Sequence, residues 1–154
     1  MFNAFKSALG LSGALPFSIG EENTQFQGRT AWQLFRGRHT ASNRDVSIFR
    51  VDHATKACIN ARQRFKTLRH PNILSYVDSA ENGEQLYIAT ELVVPLVEWL
   101  ALERDKVKAK VSPDETARAA QSLQLHCLWG LAQILRALAF LNMDCKKVRD
   151  IFGA

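Results

Sequence analysis

Phe65-Lys66-Thr67-Leu68-Arg69-His70-Pro71-Asn72-Ile73-Leu74 decides how this chain folds, because two kinds of secondary structure meet inside it. Upstream, Ala57, Ala61, Phe65 and Leu68 repeat at helical spacing from about Thr55 to Leu68, while Arg62, Arg64 and Lys66 fill the other faces. Pro71 disfavours helix at the residue before it, so the helix ends here. Downstream, Ile73–Val77 and Leu86–Val94 are short runs of strand length with β-branched or aromatic content.

Towards the N-terminus, Pro16–Asn23 is a first strand region, and Trp32–Phe35 and Val46–Val51 read as two more strands. Thr40–Asp45, T-A-S-N-R-D, is turn chemistry and predicts a hairpin between the last two. Past Pro95 the pattern becomes helical. Leu96, Trp99, Leu100 and Glu103 describe a short amphipathic helix. Ser112-Pro113-Asp114-Glu115 then opens another, with Ser as N-cap, Pro in the first turn and Glu placed to close a capping box.

That second helix runs towards Asn142, with room for a break. Leu128, Leu131, Leu135 and Leu138 line one face, but Trp129, Ala132, Ile134, Phe140 and Leu141 occupy others. A helix apolar on most of its circumference needs cover on several sides, and little chain follows it. The isolated chain is therefore expected to self-associate.

A chain of 154 residues can bury a sizeable core, and 47% hydrophobic with 23% charged residues is ordinary for a globular protein. The net charge of +5 is scattered. Its clusters, Arg62–Arg69 and Lys106–Lys110, hold a single aromatic residue, Phe65, too few for a stacking platform, so they read as solvated surface rather than a nucleic-acid site. Cys58, Cys127 and Cys145 form no C-x-x-C, and the four histidines lack metal spacing, so neither a disulfide framework nor a metal is expected. No run is expected to span a membrane, because His126, Gln133 and Arg136 interrupt the best candidate. Residues 1–15 read as a packing arm, with a membrane-touching amphipathic segment as the alternative.

Three strands, a helix, two strands and then helices resembles the order of a protein-kinase small lobe leading into its large lobe, an α+β architecture. Phe65–Leu74 resembles the junction after the lobe's single helix. Leu86-Tyr87-Ile88-Ala89-Thr90-Glu91 resembles the fifth strand entering the hinge, with Thr90 as gatekeeper and Glu91 and Leu92 following. Val46-Ser47-Ile48-Phe49, the run from Arg64 to Asp78, and Ala139–Cys145 are similar to the SCY-like pseudokinases. The resemblance covers roughly Leu15 to Cys145. It implies an arm over 1–15, a small lobe and hinge over 16–94, and a partial large lobe over 95–154.

Phosphoryl transfer in that fold needs a glycine-rich turn for the phosphates, a strand lysine, a helix glutamate to hold it, and a catalytic loop. Gly20 and Gly28 do not make G-x-G-x-x-G, and Glu21 and Glu22 add negative charge nearby. The resemblance places Phe49 at the lysine position and Ala61 at the glutamate position. Arg50 cannot substitute, because successive strand residues face opposite ways; Arg36 or Arg38 is the alternative cation. Val148-Arg149-Asp150 invites comparison with the catalytic loop, but the family register puts Ile151 at its aspartate.

No catalytic, cofactor-binding or metal residue is thus expected. The resemblance implies a cytoplasmic scaffold at Golgi membranes in traffic with the endoplasmic reticulum, with protein partners that include vesicle coat components. A kinase fragment that binds ATP is the alternative; a tRNA-export adaptor or a truncated product without independent function is a further one. The surfaces left for a partner are the basic helix face of Arg62, Lys66 and Arg69, and the N-terminal segment.

Overall fold

Alternation along Val46–Val51 sends Val46 and Ile48 to one side of a sheet and Ser47, Phe49 and Val51 to the other, and the fold is built around that central strand. The computed structural model describes residues 15–28, 30–110 and 112–143. The N-terminal segment before Leu15, Cys145 and Val148–Ile151 lie outside the described residues. The elements run β1 (Phe17–Glu22), β2 (Gln33–His39), β3 (Arg44–Val51), α1 (Lys56–Thr67), β4 (Tyr76–Asn82), β5 (Gln85–Glu91), α2 (Leu96–Lys108) and α3 (Pro113–Met143). This is an α+β chain with one antiparallel sheet in the order β1-β2-β3-β5-β4.

The described chain forms two compact units. One comprises the chain up to Leu68 together with Ser75–Val93; the other comprises Arg69–Leu74 and the chain from Val94 onward.

In the first unit each face of the sheet has its own core. Phe17, Phe35, Val46, Ile48, Tyr87 and Ala89 cluster on one side, joined by Leu15, Val77 and Ala80. Val51, Leu86 and Ile88 cluster on the other, where Ala54, Cys58 and Phe65 cover them. Gly37 makes the first core possible: a Cβ there would collide with both the Ile48 side chain and the Ser18 carbonyl. Two tight turns need the left-handed region, supplied by Asn43 (φ 53°) and Gly83 (φ 59°).

Helix α1 starts where Thr55 accepts a hydrogen bond from the Cys58 amide at 3.3 Å. Its packing face differs from the expected one. Ala57 is exposed, Ala61 is half-buried, and the buried residue is Arg62, on the same side as Cys58 and Phe65. The reason is Glu81 on β4, whose carboxylate pairs with the Arg62 guanidinium and lets a cation sit inward. The β4 strand also begins at Tyr76 rather than Ile73. The Ser75 amide is taken by the Glu91 carboxylate at 2.8 Å, and the polar stretch Asp78–Asn82 does the pairing. Strand β2 extends through His39, well past Phe35, because Arg36–His39 pair with Arg44–Ser47.

In the second unit the His70-Pro71-Asn72 turn is held against α3. His70 stacks on Phe140, with ring centroids 4.7 Å apart and planes at 24°. Asn72 Nδ2 donates to the Gln133 carbonyl at 3.1 Å. Helix α3 begins at Pro113, with the Ser112 carbonyl accepting from both the Thr116 amide and hydroxyl at 3.0 Å. It is continuous for 31 residues and buries only Ala137 among its described side chains. The expectation about membrane-spanning length is corrected here. This helix is long and apolar enough to cross a membrane by length and composition, with a mean hydropathy of 1.2 over its best window. His126 and Gln133 do not offset the leucines around them, and Arg136 is the sole Asp, Glu, Lys or Arg between Ala119 and Met143. The core helix of a water-soluble protein has the same composition.

Candidate functional site on the helix-covered face of the sheet

Strand pairing assembles the residues that matter on one face. Phe49 lies between Leu34 of β2 and Ile88 of β5, and Ser47 lies between Arg36 and Thr90. Directly opposed residues of antiparallel strands share a face. Phe49 is half-buried. Its ring meets that of Phe26, from the turn between β1 and β2, at 6.1 Å and 78°, an edge-to-face pair. The Phe26 amide is in turn held by the Asn23 carbonyl at 3.1 Å and its side-chain oxygen at 3.2 Å, which anchors that turn.

One step along β3, Ser47 is almost fully buried and its hydroxyl accepts a hydrogen bond from the Val93 amide at 3.0 Å. Thr90, also buried, donates from its hydroxyl to the Glu91 carbonyl at 2.9 Å. Glu91 holds Ser75 through both backbone and side chain. Leu92 is half exposed. The polar groups where β5 ends are therefore already engaged with the protein itself.

The acidic pair of β1 divides. Glu22 pairs with Phe35 across the strands, which sets it on the face opposite Phe49, while Glu21 is exposed. One Glu22 carboxylate oxygen is buried without a partner among the described residues. Of the alternative cations, Arg38 is engaged with Asp45 at 3.2 Å. Arg36 is exposed beside Ser47 on the Phe49 face.

The basic helix face foreseen as a docking surface does not form. Arg62 is buried against Glu81, Lys66 lies over the Tyr76 ring at 5.9 Å, and Arg69 falls outside α1 in the other unit. The sign that Arg62 turns inward was available in Glu81, but only a strand assignment reaching that residue pairs the two. Among the described residues no group of three or more His, Cys, Asp or Glu could hold a metal. Tyr87 is the one described group with a clear titration shift. Burial raises its phenol above the ordinary value, and the Arg50 charge works against that rise.

No protein-family model matches the chain. It is similar to "Probable inactive serine/threonine-protein kinase scy1" of Dictyostelium discoideum, 29% identical over 150 residues, which is 94% of this chain and 16% of that protein. It is also similar to "Protein kinase domain-containing protein ppk3" of Schizosaccharomyces pombe, 26% identical over 132 residues, 82% of this chain and 18% of that protein. The chain spans less than a fifth of the length of either relative. It is a kinase-like chain, with the five-stranded antiparallel sheet and helix order of a partial kinase-like fold.

Proposed function

We propose that this chain is a catalytically inactive, kinase-like binding module that does not take up Mg-ATP productively. The observation that carries this reading is the Phe26–Phe49 ring pair. At the place where a kinase-like sheet would offer a cation to phosphate, the chain offers an aromatic ring, which has neither charge nor a strong donor. The name of the Dictyostelium relative, "Probable inactive serine/threonine-protein kinase scy1", supports the same reading. The Ser47–Val93 hydrogen bond adds to it, since that backbone donor is already satisfied inside the protein.

The kinase-like part would then serve as a scaffold element with protein partners. By resemblance that role lies in vesicle traffic between Golgi and endoplasmic reticulum, on the cytoplasmic side. The test is thermal. A ligand present at a hundredfold over its Kd stabilises a folded protein by about 2.7 kcal/mol. Millimolar ATP with magnesium is expected to leave the melting temperature unchanged. A magnesium-dependent rise would establish the alternative, an ATP-binding kinase fragment.

A further inference from the structure

Where β2 runs into the β2–β3 turn, one histidine ties three stretches of chain together. His39 Nε2 lies 3.4 Å from Asp78 Oδ2 on β4, although β3 and β5 stand between those two strands in the sheet. The Ser79 amide holds the other Asp78 oxygen at 2.7 Å, which aims the carboxylate. On the far side of the ring, Nδ1 lies 2.8 Å from the Ser42 hydroxyl and 3.3 Å from the Ser42 amide nitrogen. The His39 side chain is only 14% exposed, whereas Ser42 and Asn43 lie open at the tip of the turn.

The Ser42 amide fixes the state of this ring. A backbone N–H donates and cannot accept, so Nδ1 carries no proton here and the ring proton sits on Nε2, directed at Asp78. A second proton can enter only at Nδ1. The Ser42 hydroxyl can then rotate and accept from it, but the amide would face a like N–H group and loses its acceptor.

The charged groups around the ring act in both directions. Asp78 on β4 favours an imidazolium. Arg44, opposite His39 on β3 and exposed, disfavours one. Arg38 and Asp45 pair with each other at 3.2 Å, and Glu91 of β5 takes the Ser75 amide at 2.8 Å. From β1 the residue in register is the uncharged Phe17.

We infer that the β2–β3 turn is a proton-operated device, held to His39 through Ser42 while the ring is neutral and released there when the ring becomes a cation. The same proton tightens the His39–Asp78 link, so acid alters the exposed Thr40–Asn43 tip while the sheet stays tied. Histidine suits this use because imidazoles gain their charge between about pH 8 and pH 5. The inference concerns one edge of the sheet unit and does not depend on whether nucleotide binds.

The test is residue-resolved ¹⁵N NMR of the chain from about pH 8 to about pH 5. At the alkaline end the His39 ring should show a bare Nδ1 and a protonated Nε2. On acidification the Ser42 amide proton should move upfield with the same midpoint as the His39 ring. The Thr40 amide, bonded to the Pro16 carbonyl at 2.8 Å, should stay in place. His39→Gln should abolish the Ser42 change. Asp78→Asn, which can still accept from Nε2 but carries no charge, should move the midpoint to lower pH, and it keeps the test decisive even if His39→Gln does not fold.

Four results overturn the inference. They are a proton on Nδ1 at the alkaline end, a Ser42 amide that ignores the His39 titration, a Ser42 change that survives His39→Gln, and a midpoint unmoved by Asp78→Asn.

Discussion

The ring of Phe26 meets the ring of Phe49 edge to face, and this contact ties the turn after β1 to the central strand β3. Edge-to-face pairs contribute about 0.5–1.5 kcal/mol beyond the apolar area they bury. Phe26→Ala and Phe49→Ala should each lower stability by about 1–3 kcal/mol, since both rings are only partly covered. The double variant should lose less than the sum, with a coupling of about 0.5–1.5 kcal/mol in urea denaturation. Strict additivity would show that the rings do not support each other. Phe49→Lys should give no kinase activity in a phosphate-transfer assay.

Removing the Ser47 hydroxyl tests the second anchor. Ser47→Ala leaves the Val93 amide without its acceptor, at a cost of about 1–3 kcal/mol if that amide stays dry. Faster hydrogen exchange at Val93, with the sheet amides of β3 and β5 unaffected, is the expected local signature. Unchanged exchange would mean the bond does not hold this segment.

Arg62 and Glu81 predict an asymmetry. Arg62 is buried, its Nε has no hydrogen-bond partner among the described residues, and Glu81 remains about half exposed. Glu81→Ala strands an inward cation and should cost about 1–3 kcal/mol, at the low end for a buried pair because water still reaches this carboxylate. Arg62→Met keeps the packing stem, removes the charge, and should stay within about 1 kcal/mol of the parent. Chemical denaturation of both variants decides it, and the reverse order would refute this account.

Tyr87 gives a pH prediction with a definite sign. Its phenol is raised above the ordinary value chiefly by burial. The unfolded chain releases this proton near pH 10, while the folded chain still holds it. Below that pH the contribution is fully present. As pH rises above about 10 the unfolded state binds fewer protons, so stability falls. Denaturation measured across the alkaline range should show this loss, and Tyr87→Phe should flatten it.

What could be read from residues alone follows from how local each signal is. Val46–Val51, Leu86–Val94 and the Ser112–Glu115 helix start declare themselves through apolar runs and capping chemistry; the first and third form where expected, while the second ends as a strand at Glu91. Strand β4 declared itself only at Tyr76 and Val77, the end of the run Ile73–Val77, because Asp78–Asn82 is mostly polar and its pairing comes from β5 across a tight turn at Gly83. Asn82-Gly83 is itself a hairpin signal that could have located it. Phe49 could be numbered from sequence, but its companion could not. Phe26 sits in a turn with no periodicity, and only the folded chain brings the two rings together. Arg62 was misread for a related reason: helical periodicity scores a cation as outward-facing, and the carboxylate that reverses this lies nineteen positions away.

The route of the chain through Arg69–Leu74 has a practical consequence. It leaves the sheet unit after Leu68, contributes His70 and Asn72 to the α3 unit, returns at Ser75 and departs again after Val93. The two units are thus interleaved in sequence, and no single cut of the polypeptide yields both intact. A protease nick near Leu74 would sever a strand-order connection and orphan the ring that Phe140 stacks upon. A fusion boundary set at Val93 would keep the sheet but strip the stacking partner from His70. Exchange of modules between related proteins should therefore succeed only when the short His70-Pro71-Asn72 insert travels together with the long helix it grips.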